Sequence, residues 1–222
     1  MNFYDKEYFE TPEAPTLEGI SEVKDLPCLL KYLAPKEGDQ ILDIGCGVGR
    51  LTEAIAKEGA KVTGLDISQY AIEQAKITYK NHKQLEFICK NALEIEYNKY
   101  FDKAFCFHNI EHFPIDDARI LLRKIYNALK NDGTLVLGLP INDDYLFRRT
   151  IHFIAKRRSW KHYGHLTSFS IKGIKNEVEA AGFKITDMYK ISFFAVKVSP
   201  QMPQLPLLGL PTICINIRAQ KI

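Results

Sequence analysis

The sequence predicts an α/β domain: a seven-stranded, mostly parallel sheet with helices on both faces and an antiparallel last strand. Three observations carry this. Short apolar runs alternate with longer amphipathic stretches, the pattern of βαβ units. The apolar runs are nearly continuous, as in strands covered on both sides. The final two runs are joined by a loop holding Pro200, Pro203 and Pro206, with no helix to cross over, so they should run antiparallel.

The elements follow in order. ISEVKDLPCLLKYL (20–33) reads as a lid or cap helix interrupted by Pro27, within an N-terminal cap segment 1–35. QILDI (40–44) is a first strand ending at glycines, and LTEAIAKEG (51–59) has helical periodicity that stops at Gly59. KVTGLDI (61–67) is a second strand, and Ser68 caps the helix QYAIEQAKITYK (69–80). LEFICK (85–90) and FDKAFCFHNI (101–110) are the third and fourth strands. IDDARILLRKIYNALK (115–130) is a helix with Ile120, Leu121, Ile125 and Leu129 on one face, and NDG (131–133) turns into TLVLGLP (134–140). A basic insertion at 141–169 precedes the helix SIKGIKNEVEAAG (170–182) and the strands FKITDMYKISFF (183–194) and PTICINIRA (211–219). Residues 36–222 are read as one domain.

Composition bounds the function. Of 222 residues, 46% are hydrophobic and 26% charged, which excludes collagen-like, low-complexity and wholly disordered chains. The five cysteines are odd in number and widely spaced with no CxxC pair, which argues against a disulfide framework or a structural zinc site. The start MNFYDKEYFE has neither the basic residues nor the apolar run of a signal peptide, and the apolar stretch 205–217 is too short to span a bilayer. A cytoplasmic location is expected.

ILDIGCGVGR (41–50) is the most informative stretch. Gly45, Gly47 and Gly49 stand between a strand and a helix, where bare backbone allows a tight turn and a close ligand. Asp66, 21 positions after Gly45, ends the next strand, where a carboxylate can accept from the two ribose hydroxyls of a nucleoside. A nicotinamide fingerprint is GxGxxG, but here the spacing is GxGxG, with Asp43 two residues before the first glycine. An acid there gains nothing from a pyrophosphate. It does gain from a ligand bearing an ammonium group and a sulfonium.

At these residues the sequence resembles the class I S-adenosylmethionine-dependent methyltransferases, whose first motif has the form LDxGCGxG; the resemblance runs from about Gln40 to Gly182. It implies a Rossmann-like fold and S-adenosylmethionine as cofactor, with S-adenosylhomocysteine as product. It implies that Gly45, Cys46 and Gly47 line the methionine end, with Asp43 near its ammonium group. Asp66 would hold the ribose and Ile67 the adenine face. Asn91 stands where the family usually has an Asp on the adenine amino group, and the N–H of Ala92 would bond the ring. FHNIEHF (107–113) matches the place where cofactor meets substrate, with His108 at the pocket rim.

His108, Glu111 and His112 spell HxxEH, also an inverted zinc-protease string, but Pro114 follows at once and the helix such a site needs is missing. The resemblance instead puts Glu111 and His112 at the reacting end. There His112, or His165 from YGHLTSFS (163–170), is a candidate general base. The alternative is that Glu111 and His112 only shape the loop. Related ubiquinone-pathway O-methyltransferases have an EH pair here with a further acid nearby. His108 takes that acid's place, so no metal requirement is carried over.

Residues 145–176 contain no Asp or Glu and carry Arg148, Arg149, Lys156, Arg157, Arg158, Lys161, Lys172 and Lys175, a charge of +8 against +3 for the whole chain. They would hold an anionic small-molecule acceptor, rest on anionic lipid through 145–161, or form a solvated helix. Nucleic acid is the least supported partner, since no second basic tract accompanies them. The aromatic start FYDKEYF (3–9) resembles a segment that closes over the cofactor, with Tyr4 and Tyr8 as candidates. The expected function is methyl transfer to a small molecule, most readily at oxygen. The alternatives are methylation of a lipid-linked or polymeric anionic acceptor, or non-catalytic cofactor binding with a regulatory role.

Overall fold

The computed structural model describes residues 20–141, 165–192 and 212–222. The basic residues 148–161, Tyr4, Tyr8 and the prolines at 200, 203 and 206 lie outside them.

Helix α1 (Ile20–Leu33) precedes strand β1 (Gln40–Ile44), helix α2 (Arg50–Ala56), strand β2 (Lys61–Asp66), helix α3 (Gln69–Thr78) and strand β3 (Leu85–Cys89). Then come strand β4 (Phe101–Phe107), helix α4 (Ile115–Ala128), strand β5 (Leu129–Pro140), helix α5 (Ile171–Ala180), and strands β6 (Phe183–Ser192) and β7 (Thr212–Lys221). The seven strands lie in the order β3-β2-β1-β4-β5-β7-β6. Only β7 runs opposite to the other six strands; it inserts between β5 and β6. The antiparallel last pair is as expected. The insertion was not foreseen, because it depends on which sheet edge is open when the last strand arrives.

The period of two along the strands feeds two cores. Leu42 and Ile44 of β1, Ala104 and Cys106 of β4, and Leu135, Leu137 and Leu139 of β5 face one side, where Leu121, Leu122 and Ile125 of α4 and Ile174 and Val178 of α5 cover them. Ile41, Phe105, Phe107 and Val136 face the other, against Leu29, Tyr32 and Leu33 of α1 and Ile55 of α2. A helix–sheet–helix sandwich results, as the continuous apolar strands foretold.

Three local expectations change. Helix α1 runs through Pro27 unbroken. Pro27 is exposed while Leu29 and Leu33 are buried, so the ring points away from the core and the packing of the last turns holds the helix. On α4, Ile120 is exposed, and the covered face is Ala118, Leu121, Leu122 and Ile125. The turn at NDG is an excursion within β5. Pairing jumps from Phe101–Leu129 to Lys103–Thr134, and Asp132 sits at φ 61°. Lys130 closes it with an ion pair to Asp102 at 2.7 Å.

The first three strands build the sheet outward in one direction and β4 and β5 build it in the other. Their carboxyl ends therefore diverge between β1 and β4, the crevice where open α/β sheets bind ligands. The glycine turn follows β1 and the His-Glu-His loop follows β4.

Candidate active site

The turn after β1 is held from within. Gly45 and Cys46 both donate their N–H to the carbonyl of Leu65 on β2, at 2.8 and 2.9 Å. Gly47 donates to Asp66 Oδ2 at 2.8 Å, and Gly49 to the carbonyl of Cys46 at 2.9 Å. Gly45, Gly47 and Gly49 all have positive φ (78°, 51° and 85°), which explains why this bend is built from glycine. Four N–H groups are thus spent on the protein itself, three on β2 and one within the turn. A pyrophosphate site aims such donors at its anion. A turn that consumes them instead suits a cationic ligand end.

Asp43 is 3% exposed and its Oδ2 accepts the Thr52 hydroxyl at 2.6 Å. It therefore braces α2 to β1 from behind the turn, a structural task the sequence reading did not assign it. Asp66 accepts Gly47 N–H on one oxygen and Ser68 N–H on the other, each at 2.8 Å. Burial raises its carboxyl above the usual carboxylate range, against the lowering effect of these N–H groups. The Ile67 N–H adds to that lowering effect, and the carboxylate keeps acceptor capacity for a further donor. Ile67 is 48% exposed beside it, an apolar surface at the mouth. Burial pushes the Cys46 thiol well up, with Asp43 and Asp66 adding to it, so the sulfur stays protonated and serves as packing. Asn91 caps the short turn Ala92–Glu94 by accepting Leu93 N–H at 3.0 Å, so one lone pair of its amide oxygen is engaged locally.

Across the crevice, His108 leaves β4 at φ 49°, a left-handed conformation uncommon outside glycine, with its N–H on the carbonyl of Gly138. Ile110–His112 form a single 3₁₀ turn. The carbonyl of Glu111 accepts N–H from Leu166 and Thr167 at 2.9 and 3.0 Å, and Thr167 Oγ1 donates to the carbonyl of Phe113 at 2.6 Å. These bonds draw His165 to the loop. The His112 and His165 rings meet edge to face at 5.0 Å, and His165 Nε2 lies 4.0 Å from Glu111 Oε1. The three residues singled out for the reacting end are therefore together. Glu111 is 2% exposed, and neither carboxylate oxygen has a hydrogen-bond partner among the described residues.

Asn109 joins the two halves. A Cβ on Gly45 would lie 2.2 Å from Asn109 Nδ2, so the asparagine amide rests directly on the glycine turn. The sequence reading missed Asn109 and Thr52, since nothing in their spacing marks them. Asn109 lies two residues past the end of β4, in the loop at the carboxyl end of the sheet, and that position is the hint available.

The profile of the family described as "Methyltransferase domain" matches residues 22–187. The chain belongs to this methyltransferase family. An O-methyltransferase of Pyrenophora dematioidea is 33% identical over 144 residues, 62% of this chain and 53% of that protein. A ubiquinone biosynthesis O-methyltransferase of Bradyrhizobium diazoefficiens is 34% identical over 117 residues, 52% of this chain and 43% of that protein. The chain spans about half the length of these curated relatives. Among solved structures, 1,6-didemethyltoxoflavin-N1-methyltransferase of Burkholderia thailandensis, with bound 1,6-didemethyltoxoflavin and S-adenosylhomocysteine, superposes with a TM-score of 0.70. It is 19% identical and covers 97% of this chain and 84% of that one. That likeness is one of fold, and it agrees with the predicted seven-stranded Rossmann-like sheet. Among the described residues of this methyltransferase-family chain, no helix is long and apolar enough to cross a membrane.

Proposed function

We propose that the chain binds S-adenosylmethionine and transfers its methyl group to an oxygen of a small-molecule acceptor, releasing S-adenosylhomocysteine. The observation that carries this is the inward use of the N–H groups of Gly45, Cys46, Gly47 and Gly49 in a turn flanked by Asp66. A cationic methionine end meets no competing donors there, and the Asp66 carboxylate keeps acceptor capacity for a ribose hydroxyl. Two relatives are named O-methyltransferases, which supports oxygen as the accepting atom.

Methyl transfer from sulfonium is an in-line displacement. The acceptor oxygen forms a bond to the methyl carbon as the carbon–sulfur bond breaks, and sulfur keeps the electron pair. Alignment in a dry crevice supplies most of the acceleration. The acceptor's proton goes to a base, and His112 and His165 stand ready beside buried Glu111. The basic segment 145–161 is the part of our reading that gives an anionic acceptor its counter-charge, or a lipid-linked one its surface. A non-catalytic cofactor-binding role is the second reading, because the turn and Asp66 speak only to binding.

Calorimetry with S-adenosylhomocysteine tests the cofactor, with one saturable site expected. Release of S-adenosylhomocysteine with candidate acceptors tests turnover. His112→Ala should lower turnover about 100-fold or more and change cofactor affinity little. Unchanged turnover would remove His112 from the reaction.

A further inference from the structure

Asn109 stands just before the 3₁₀ turn Ile110–His112, where an asparagine ordinarily turns its side-chain oxygen back onto an N–H of that turn. Here it makes no such bond. Its carbonyl still accepts His112 N–H at 3.0 Å, so the backbone is seated in the loop while the side chain reaches the other way, to Gly45. A Cβ on Gly45 would lie 2.2 Å from Nδ2, so the amide occupies the ground that a side chain at 45 would take. Its oxygen has a weak neighbour in the Cys106 thiol, at 3.9 Å. Among the described residues the amide nitrogen meets no acceptor, and it is not sealed from solvent as the Glu111 oxygens are. Two N–H donors therefore open on the crevice, beside the glycine turn.

The turn creates a need for those donors. The amino-acid end of S-adenosylmethionine is a zwitterion, with an ammonium and a carboxylate on one carbon. A turn whose N–H groups are spent on β2 and on itself suits the ammonium but offers the carboxylate nothing. Asp43 and Asp66, both close enough to act on the Cys46 thiol, make the surroundings acidic as well. A carboxylate taken from water without donors is costly, so one must come from outside the turn. A neutral amide serves the carboxylate without repelling the ammonium and sulfonium, as a lysine or arginine would.

We infer that Asn109 is a cofactor-specificity residue whose side-chain amide donates to the carboxylate at the amino-acid end of the cofactor. The inference rests on the S-adenosylmethionine reading above. It goes beyond that reading by giving the carboxylate to the loop after β4 rather than to the glycine turn. The loop that carries His112 thereby reads whether a complete cofactor lies on the turn.

The test uses the full chain and two ligands that differ only in the carboxylate, S-adenosylmethionine and its decarboxylated form, titrated by calorimetry without acceptor. The wild type should bind S-adenosylmethionine about tenfold or more tightly than the decarboxylated ligand, as a charge-assisted hydrogen bond allows. Asn109→Leu keeps the size and branching of the side chain and removes both donors. It should weaken S-adenosylmethionine about tenfold or more and leave the decarboxylated ligand within about twofold, which also shows that the variant is folded. Asn109→Asp has the same shape with acceptors only. It should weaken S-adenosylmethionine at least as much and bind the decarboxylated cation no worse than the wild type does. A wild type that does not distinguish the ligands, or variants that lose equally for both or for neither, would overturn the role of Asn109 and leave cofactor binding in place. No saturable binding of either ligand to the wild type would remove the cofactor reading, and the role of Asn109 with it.

Discussion

Replacing Gly45 by alanine probes the junction on which the crevice depends. The added methyl meets two obstacles. Gly45 sits at φ 78°, where a Cβ costs about 1–2 kcal/mol in left-handed backbone. The methyl would also lie 2.2, 2.5 and 2.9 Å from Nδ2, Cγ and Cβ of Asn109, and forcing a methyl into a filled site costs about 1–3 kcal/mol. Gly45→Ala should therefore lose about 2–5 kcal/mol of unfolding free energy, read from urea melts at constant m-value. Trimming the neighbour separates the two contributions. With Asn109→Ala present as well, the contacts at 2.2 and 2.5 Å disappear and only the 2.9 Å approach to Cβ remains, so Gly45→Ala should cost less in that background, a favourable coupling of about 0.5–3 kcal/mol between the sites. A Gly45→Ala protein within 0.5 kcal/mol of wild type, or losses that simply add in the double mutant, would refute the close seating of Asn109 on the turn.

Two further outcomes are expected. Thr52→Val removes the hydroxyl that donates to buried Asp43 at 2.6 Å, and should cost about 1–3 kcal/mol in the same urea melts; a loss below that range would mean the bond does not brace α2. Because burial holds the Asp66 carboxyl above its usual range, the anion proposed to accept from the ribose is lost at a higher pH than for an ordinary aspartate. Nucleoside affinity should thus fall on acidification while still above the ordinary aspartate value of about 3.9, in calorimetric titrations run at several pH values. Asp66→Asn should bind weakly with a flatter profile, and a wild-type affinity independent of pH down to that value would exclude the carboxylate contact. In the unliganded protein the sign is opposite. The neutral form of Asp66 favours folding fully below its unfolded value, and that stability is lost as pH rises through the raised folded value.

Much of this protein is legible along the chain. The βαβ alternation, the strand positions and the glycine bend are local, since each follows from a period, a backbone conformation or a cap within a few residues. The placement of Gly45, Gly47, Gly49 and Asp66 at one sheet edge follows almost as directly, because consecutive parallel strands end on the same side. Small local errors arose where packing overrode pattern, as at Pro27, at Ile120 and in the excursion of residues 130–133.

Tertiary structure alone decided what depends on distant residues. Nothing in a spacing says that Thr52 bonds Asp43, that Asn109 lies on Gly45, or that β7 enters between β5 and β6. Nor does it say that two N–H groups beyond residue 165 grasp the Glu111 carbonyl and carry His165 to His112. Periodicity and turn chemistry act over one or two turns of chain. Whether a carboxylate ends up buried, and which imidazoles surround it, is settled only when strands far apart in sequence share one crevice.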